Sequence, residues 1–229
     1  MSTAVIIPAL NEAGAIAAVV RDSLAQDIDW VIVADNGSSD ETAEIARQAG
    51  ALVVSEPRRG YGYACAAGTA RAIALGATVL VYIDGDYSSV PGEMPRLLDP
   101  ISENKGDLVL GSRVLGTIGE GTMPPHQKFG NVLSSWLVSK LYGLEVTDLG
   151  PYRAIRSELV QELGMREMTF GWPTEMMVKA AREGVHIIEV PVSWKRWRAG
   201  QSKVGGNLRG SLLAAYYILG VTIRYAILQ

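Results

Sequence analysis

Two aspartates flank a single glycine at Asp84-Gly85-Asp86, directly after the apolar run 79–83. Carboxylates are hard oxygen ligands suited to magnesium or manganese, and such ions complete their shells with water and substrate phosphates. The glycine lets the backbone bend closely around a ligand. Asp84 and Asp86 are therefore candidate metal ligands, and a metal-bound pyrophosphate is their natural partner. Two further polar clusters also follow apolar runs: Pro8-Ala9-Leu10-Asn11-Glu12 and Asp35-Asn36-Gly37-Ser38-Ser39-Asp40. Each alone reads as a turn or a helix cap, and Asp40 is well placed to cap the next helix. Their recurrence after successive apolar runs points instead to one shared crevice. Gly60-Tyr61-Gly62 opens a helix beside Arg58 and Arg59, so its amides could meet an anion. Other chemistries lack their residues. No glycine-rich dinucleotide fingerprint follows the first apolar run, no glycine-rich Lys-Ser/Thr phosphate loop occurs, and no Gly-x-Ser-x-Gly elbow is present.

These clusters can meet only if the elements around them line up. Strands are expected at 4–7, 30–34, 52–55, 79–83 and 108–110, and helices at 12–25, 40–49, 63–75 and 94–103. Uninterrupted apolar strands are covered on both faces, which implies an α/β fold with a mostly parallel sheet between helices. In such a sheet the carboxyl ends of the strands form the ligand crevice. Past Arg113 the rhythm changes to a loop at 116–125, helices near 128–142 and 173–183, and a strand at 186–192. A loop at 195–206 rich in arginine, lysine and glycine precedes a terminal apolar helix. No internal repeat or low-complexity linker interrupts the chain, so one domain is expected.

Composition agrees with that size. The 229 residues are 48% hydrophobic and 20% charged, with a net charge of −3, the balance of an ordinary folded domain. Cys65 is the one cysteine, which excludes an internal disulfide and a cysteine-rich zinc site and suits a reducing compartment. An acidic pI of about 5.5 argues against a nucleic-acid partner, which would need basic excess. The first nine residues lack a charged n-region, so a secretory leader is not expected. Residues 212–223 are mostly apolar but bracketed by Arg209 and Arg224, short of the roughly 18 to 20 residues of a spanning helix. That segment reads as a core helix, a homo-oligomer contact or a helix lying on a membrane.

Taken in order, Pro8 to Glu12, Asp35 to Thr42, Asp84 to Asp86 and Gly111-Ser112-Arg113 resemble the motifs of family 2 glycosyltransferases. The similarity is greatest to the dolichyl-phosphate and polyprenyl-phosphate sugar transferases. It extends through Asp148-Leu149-Gly150-Pro151-Tyr152-Arg153-Ala154, Gly171-Trp172-Pro173-Thr174-Glu175-Met176 and Arg198-Ala199-Gly200-Gln201-Ser202-Lys203. The resemblance implies a single GT-A domain over 1–229: a nucleotide-sugar half at 1–113, an acceptor half at 114–206 and the apolar helix at 207–229. It also implies a UDP- or GDP-hexose donor and Mg2+ or Mn2+. Pro8, Leu10, Asn11 and Glu12 would line the nucleotide and Asp35 would meet the base. Asp84, Gly85 and Asp86 would hold ribose, metal and diphosphate, and Arg113 would face the reacting phosphates. Two departures stand out. Ala34-Asp35 replaces a frequent pair of aspartates, and Ser88 stands where relatives have a metal-completing glutamine.

The acceptor decides the mechanism. Arg198, Ser202 and Lys203, with Arg113, could bind the head of a polyprenyl phosphate, with apolar residues nearby for its tail. Trp194 and Trp197, interleaved with Lys195, Arg196 and Arg198, suit a membrane interface. A phosphate acceptor attacks the anomeric carbon without a protein base and inverts it. A hydroxyl acceptor would need a carboxylate to take its proton, with Glu175 or Asp148 as candidates. His126 would border the acceptor or cap a helix, and His186 would be structural. The expected setting is cytoplasmic, peripheral at the inner membrane face. The contrasting reading, a non-catalytic nucleotide-sugar binder, is opposed by the intact Asp84 and Asp86.

Overall fold

In the computed structural model, which describes residues 1–195 and 208–227 and, within the last helix, side chains from residue 213, seven strands form one sheet. The first four alternate with helices: β1 (Thr3–Ala9), α1 (Ile16–Leu24), β2 (Trp30–Asp35), α2 (Thr42–Gln48), β3 (Leu52–Ser55), α3 (Tyr61–Ala74) and β4 (Val79–Tyr82). Then come α4 (Met94–Ser102), β5 (Leu108–Ile118), α5 (Pro125–Tyr142), β6 (Arg153–Arg156), α6 (Ser157–Glu162), α7 (Trp172–Arg182), β7 (Ile187–Trp194) and α8 (Leu208–Ile227). The spatial order is β3-β2-β1-β4-β6-β5-β7.

Strand alternation explains the two cores. Val5, Ile7, Val31, Val33, Val79 and Val81 face α1 and α4, whereas Ala4, Ile6, Ile32, Leu80 and Tyr82 face α3 and α7. Burial on both faces is what an uninterrupted apolar strand requires, and β1 is buried along its whole length.

The direction of β6 decides where chemistry can gather. β1, β2, β3 and β4 are parallel, while β6 runs antiparallel to both β4 and β5. Hence β4 and β5 point the same way, and the chain enters β6 at their carboxyl ends. Tyr82 and Leu110 both lie level with Arg153. Asp84, Arg113 and Asp148, each a few residues beyond that level, meet at one edge.

Several bounds differ from the sequence expectation. β6 was not anticipated, because Arg153-Ala154-Ile155-Arg156 has an arginine at each end and only two apolar residues between. β5 continues to Ile118, so the supposed loop at 116–125 begins as strand paired irregularly with β7. α1 starts at Ile16, the segment from residue 12 being a turn closed by the Ala15 and Ile16 amides on the Glu12 carbonyl. α8 is longer than 212–223, yet among the described residues no helix is long and apolar enough to cross a membrane. Pro191 sits in β7, tolerated because β7 is the sheet's edge.

Candidate active site

Three loops at the carboxyl ends of β1, β2 and β3 are tied together. Asn11, held at φ 53°, accepts the Ser39 amide at 2.8 Å and donates its own to Ser38 Oγ at 2.9 Å. The Glu12 amide donates to Thr42 Oγ1 at 2.8 Å. Asp35 ends β2 buried, and its carboxylate accepts the Ser38 amide at 3.2 Å. Asp40 accepts the Thr42 amide and hydroxyl just ahead of α2, one residue before the N-cap, Glu41, which itself makes no side-chain cap. Pro8 lies buried in β1, one residue before its end at Ala9, and Leu10 is partly exposed beyond.

The helix-opening glycines have another use than the one expected. The Gly60 amide donates to Asn36 Oδ1 at 2.9 Å and the Gly62 amide to the Met168 carbonyl at 3.1 Å, so neither is free for an anion. Arg58 pairs with Glu56 at 2.7 Å, and Arg59 donates to the Asn36 carbonyl. A Cβ on Gly62 would lie 2.4 Å from the Glu167 carbonyl oxygen, so only glycine admits the 167–168 backbone here. What this helix start contributes is Tyr61, whose hydroxyl donates to Asp84 Oδ1 at 3.2 Å.

Asp84 forms the floor of the crevice with a partly accessible surface. Burial, then the charge of Asp86, and more weakly that of Glu12, push its carboxyl up to about 7, against the lowering effect of the Tyr61 hydrogen bond. A carboxylate so crowded by others is one that a divalent cation relieves. Asp86 turns Oδ1 to the Ser88 amide at 2.9 Å, while the Ser88 hydroxyl is buried without a hydrogen-bond partner among the described residues. Among the described residues no group of three His, Cys, Asp or Glu side chains is gathered for a metal. The donor set therefore fits an ion held by Asp84 and Asp86 whose remaining positions go to water and phosphate.

Arg113 and Asp148 form the other wall. Arg113 Nε and Nη2 donate to Asp148 Oδ2 and Oδ1 at 2.7 and 2.6 Å, and the Arg113 amide adds a third bond at 2.7 Å. The pair is buried, with the Arg113 side chain 15% exposed and that of Asp148 0%. Trp194 lies under the guanidinium, 4.8 Å from ring centre to Cζ. Trp194 thus supports the arginine's face.

Glu175 is neither at the crevice nor on a helix surface. It is 0% exposed, accepting the Arg166 and Glu167 amides at 2.9 and 2.7 Å, the Tyr225 hydroxyl at 2.5 Å and Lys179 at 3.1 Å. Burial opposes its charge, but these donors prevail and hold its carboxyl below the ordinary range. It fastens the 166–167 loop and α8 to α7. His126 lies within the first turn of α5. Arg196, Trp197, Arg198, Ser202 and Lys203 lie outside the described residues, and Lys195 joins the site's border through its backbone N–H, which donates to the Ser88 carbonyl at 2.8 Å. Residues that the sequence reading passed over are Tyr61, valued there for its neighbours' amides, and Glu189, an acid inside an apolar strand.

Comparison with known proteins agrees with this geometry. The family model described as Glycosyl transferase family 2 matches residues 4–164. An uncharacterised glycosyltransferase of Mycobacterium bovis is 36% identical over 210 residues, covering 92% of this chain and 93% of its own. A dolichyl-phosphate hexose transferase of Haloferax volcanii is 35% identical, covering 88% and 86%. Among solved structures, glucosyl-3-phosphoglycerate synthase from Mycobacterium tuberculosis, in complex with Mn2+, UDP and its product, superposes with a TM-score of 0.76. At 23% identity, covering 98% of this chain and 80% of that one, it shows that the GT-A fold is shared. By its motifs, its fold and this match over most of its length, the chain belongs to glycosyltransferase family 2.

Proposed function

We propose that this enzyme transfers a hexose, glucose or mannose, from a UDP or GDP carrier to a polyprenyl phosphate, with inversion and with Mg2+ or Mn2+. The carrying observation is the state of the two carboxylates that could serve as a base. Asp148 gives both oxygens to Arg113, and Glu175 is enclosed by four donors. A hydroxyl acceptor needs a carboxylate it can reach, and both of these are 0% exposed and paired with a cation, whereas a phosphate monoester is already an anion near neutral pH and needs none. The name of the Haloferax relative, a dolichyl-phosphate hexose transferase, supports the same acceptor class.

In this reading the chain's residues mainly align and neutralise. Asp35 and the Asn11 and Glu12 turn receive the nucleoside, and Asp84 and Asp86 hold the metal. The bound metal supplies charge for the departing diphosphate. Arg113, with Nε and Nη2 turned to Asp148, would keep Nη1 for the phosphates. Its orientation is set in advance, so no reorganisation is needed as charge moves to the leaving group. Arg113, Arg198, Ser202 and Lys203 would hold the acceptor head.

A lipid acceptor also gives a use to an exposed apolar stripe. Phe129, Val132 and Trp136 follow helical spacing on α5 and are 69, 62 and 54% exposed. Tyr216, Ile223 and Ile227 of α8 are exposed as well, and α8 is tied to α5 by the Tyr142 hydroxyl on the Thr222 carbonyl. Aromatic and aliphatic residues on a helix face suit peripheral seating at a bilayer interface.

The test is transfer itself. The purified protein, Mn2+ and labelled UDP-glucose or GDP-mannose are incubated with polyprenyl phosphate in vesicles, and label should enter the organic phase. Label confined to a water-soluble product would reject the lipid acceptor. Donor binding without turnover over a broad acceptor panel would reject catalysis.

A further inference from the structure

β7 is an edge strand whose first half, Ile187-Ile188-Glu189-Val190, carries one acid. Glu189 lies level with Leu110 of β5 and is half-buried. Its Oε2 accepts the Thr147 amide at 2.8 Å and the Thr147 hydroxyl at 2.9 Å, and its Oε1 accepts the Asp148 amide at 3.1 Å. Thr147 Oγ1 is also 2.7 Å from Ser112 Oγ, next to Arg113. Three donors converge on this one group, and only a carboxylate offers acceptor capacity on both oxygens. The placement has an electrostatic cost, since burial and, more weakly, the nearby Asp148 push the Glu189 carboxyl above its ordinary range.

We infer that Glu189 is a positioning residue for the transfer reaction, fixing the 147–148 backbone so that Asp148 presents both oxygens to Arg113. Trp194 stands five residues further along the same strand, beneath the guanidinium. One edge strand therefore sets the arginine from two sides: through the Asp148 that grips its edge and through the ring that supports its face. The inference rests on the proposed role of Arg113 at the reacting phosphates.

The experiment compares Glu189→Gln, Asp148→Asn, their double variant and Arg113→Ala with the intact protein in the lipid-transfer assay, alongside UDP–Mn2+ binding and thermal unfolding. An amide keeps the shape of Glu189 but turns a donor toward a backbone N–H. E189Q should raise the KM for polyprenyl phosphate at least fivefold and lower kcat at least tenfold, with the Kd for UDP within twofold of the parent. The double variant should be no worse than D148N alone, because both act on one arginine. A lower kcat with unchanged acceptor KM and a lower Tm would mean lost folded protein and overturn the inference. Multiplying effects in the double variant would also overturn it, as would parental kinetics in E189Q while R113A is inactive. Full transfer by R113A would instead remove the arginine's role, and this inference with it. Should E189Q fail to fold, Thr147→Val breaks the same link by deleting one donor. Its acceptor KM should rise in the same direction, and an unchanged KM there would overturn the inference equally.

Discussion

At the scale of single residues, the crevice is organised by opposed charges at its two walls. Asp84 and Asp86 crowd together on one side, and Arg113 is clamped on the other. Asp86→Ala should abolish transfer and remove the extra thermal stabilisation that Mn2+ gives with UDP; full activity would exclude the metal role. Asp84 adds a pH dependence whose sign is fixed by its raised carboxyl of about 7. In the metal-free protein the folded state holds this proton more tightly than the unfolded chain does. Its stabilising contribution is complete below the ordinary aspartate range and is lost as pH rises through about 7. A metal must displace the same proton, so Mn2+ affinity should fall roughly tenfold per pH unit below 7, as one-proton linkage requires. Tyr61→Phe removes a hydrogen bond that lowers Asp84, so the midpoint of that titration should move upward; calorimetry of Mn2+ binding between pH 5.5 and 8.5 reads both effects. The aspartates were legible in the sequence because both follow an apolar strand. Tyr61 and Glu189 were not, since their partners lie 23 and 42 residues away.

Among the elements, the short ones carry most of the placement. β6 has four residues and brings Asp148 to the edge where β4 and β5 deliver Asp84 and Arg113. Arg153, at its start and fully buried, donates to the Pro173 carbonyl at 2.7 Å and to the Gly150 carbonyl, anchoring the loop behind Asp148. The early strands and helices were readable from period and composition. The four-residue strand was not, because its pairing with two non-adjacent segments overrides a weak local pattern. Arg113→Ala should therefore destabilise the fold as well as silence it. Leaving Asp148 buried without its cation should cost about 3 to 5 kcal/mol in urea unfolding. Gly62→Ala tests the helix start: its Cβ would meet the Glu167 carbonyl at 2.4 Å, so the 166–168 loop must move. Overpacking of this kind costs about 1 to 3 kcal/mol, and Tyr61 should lose its hold on Asp84, weakening Mn2+ binding.

For the whole molecule, the sheet is one continuous body, and its site occupies one edge with β7 as the outer wall. The exposed face of α5 gives that body an orientation on a bilayer under the proposed lipid acceptor. Replacing Phe129 and Trp136 with glutamate should reduce co-flotation with anionic vesicles severalfold while UDP affinity stays the same; unchanged flotation would assign the stripe elsewhere. The inner face of α5 has a second attachment, since Asn131 donates to the Thr147 carbonyl at 3.3 Å and accepts the Leu149 amide at 3.2 Å. One helix thus meets the outside with its aromatic residues and the loop bearing Asp148 with its asparagine. Under the proposed acceptor, encounter becomes a search in two dimensions once the stripe is seated. Turnover would then follow the mole fraction of acceptor in the surface, and diluting it with inert lipid would slow the enzyme at constant bulk concentration.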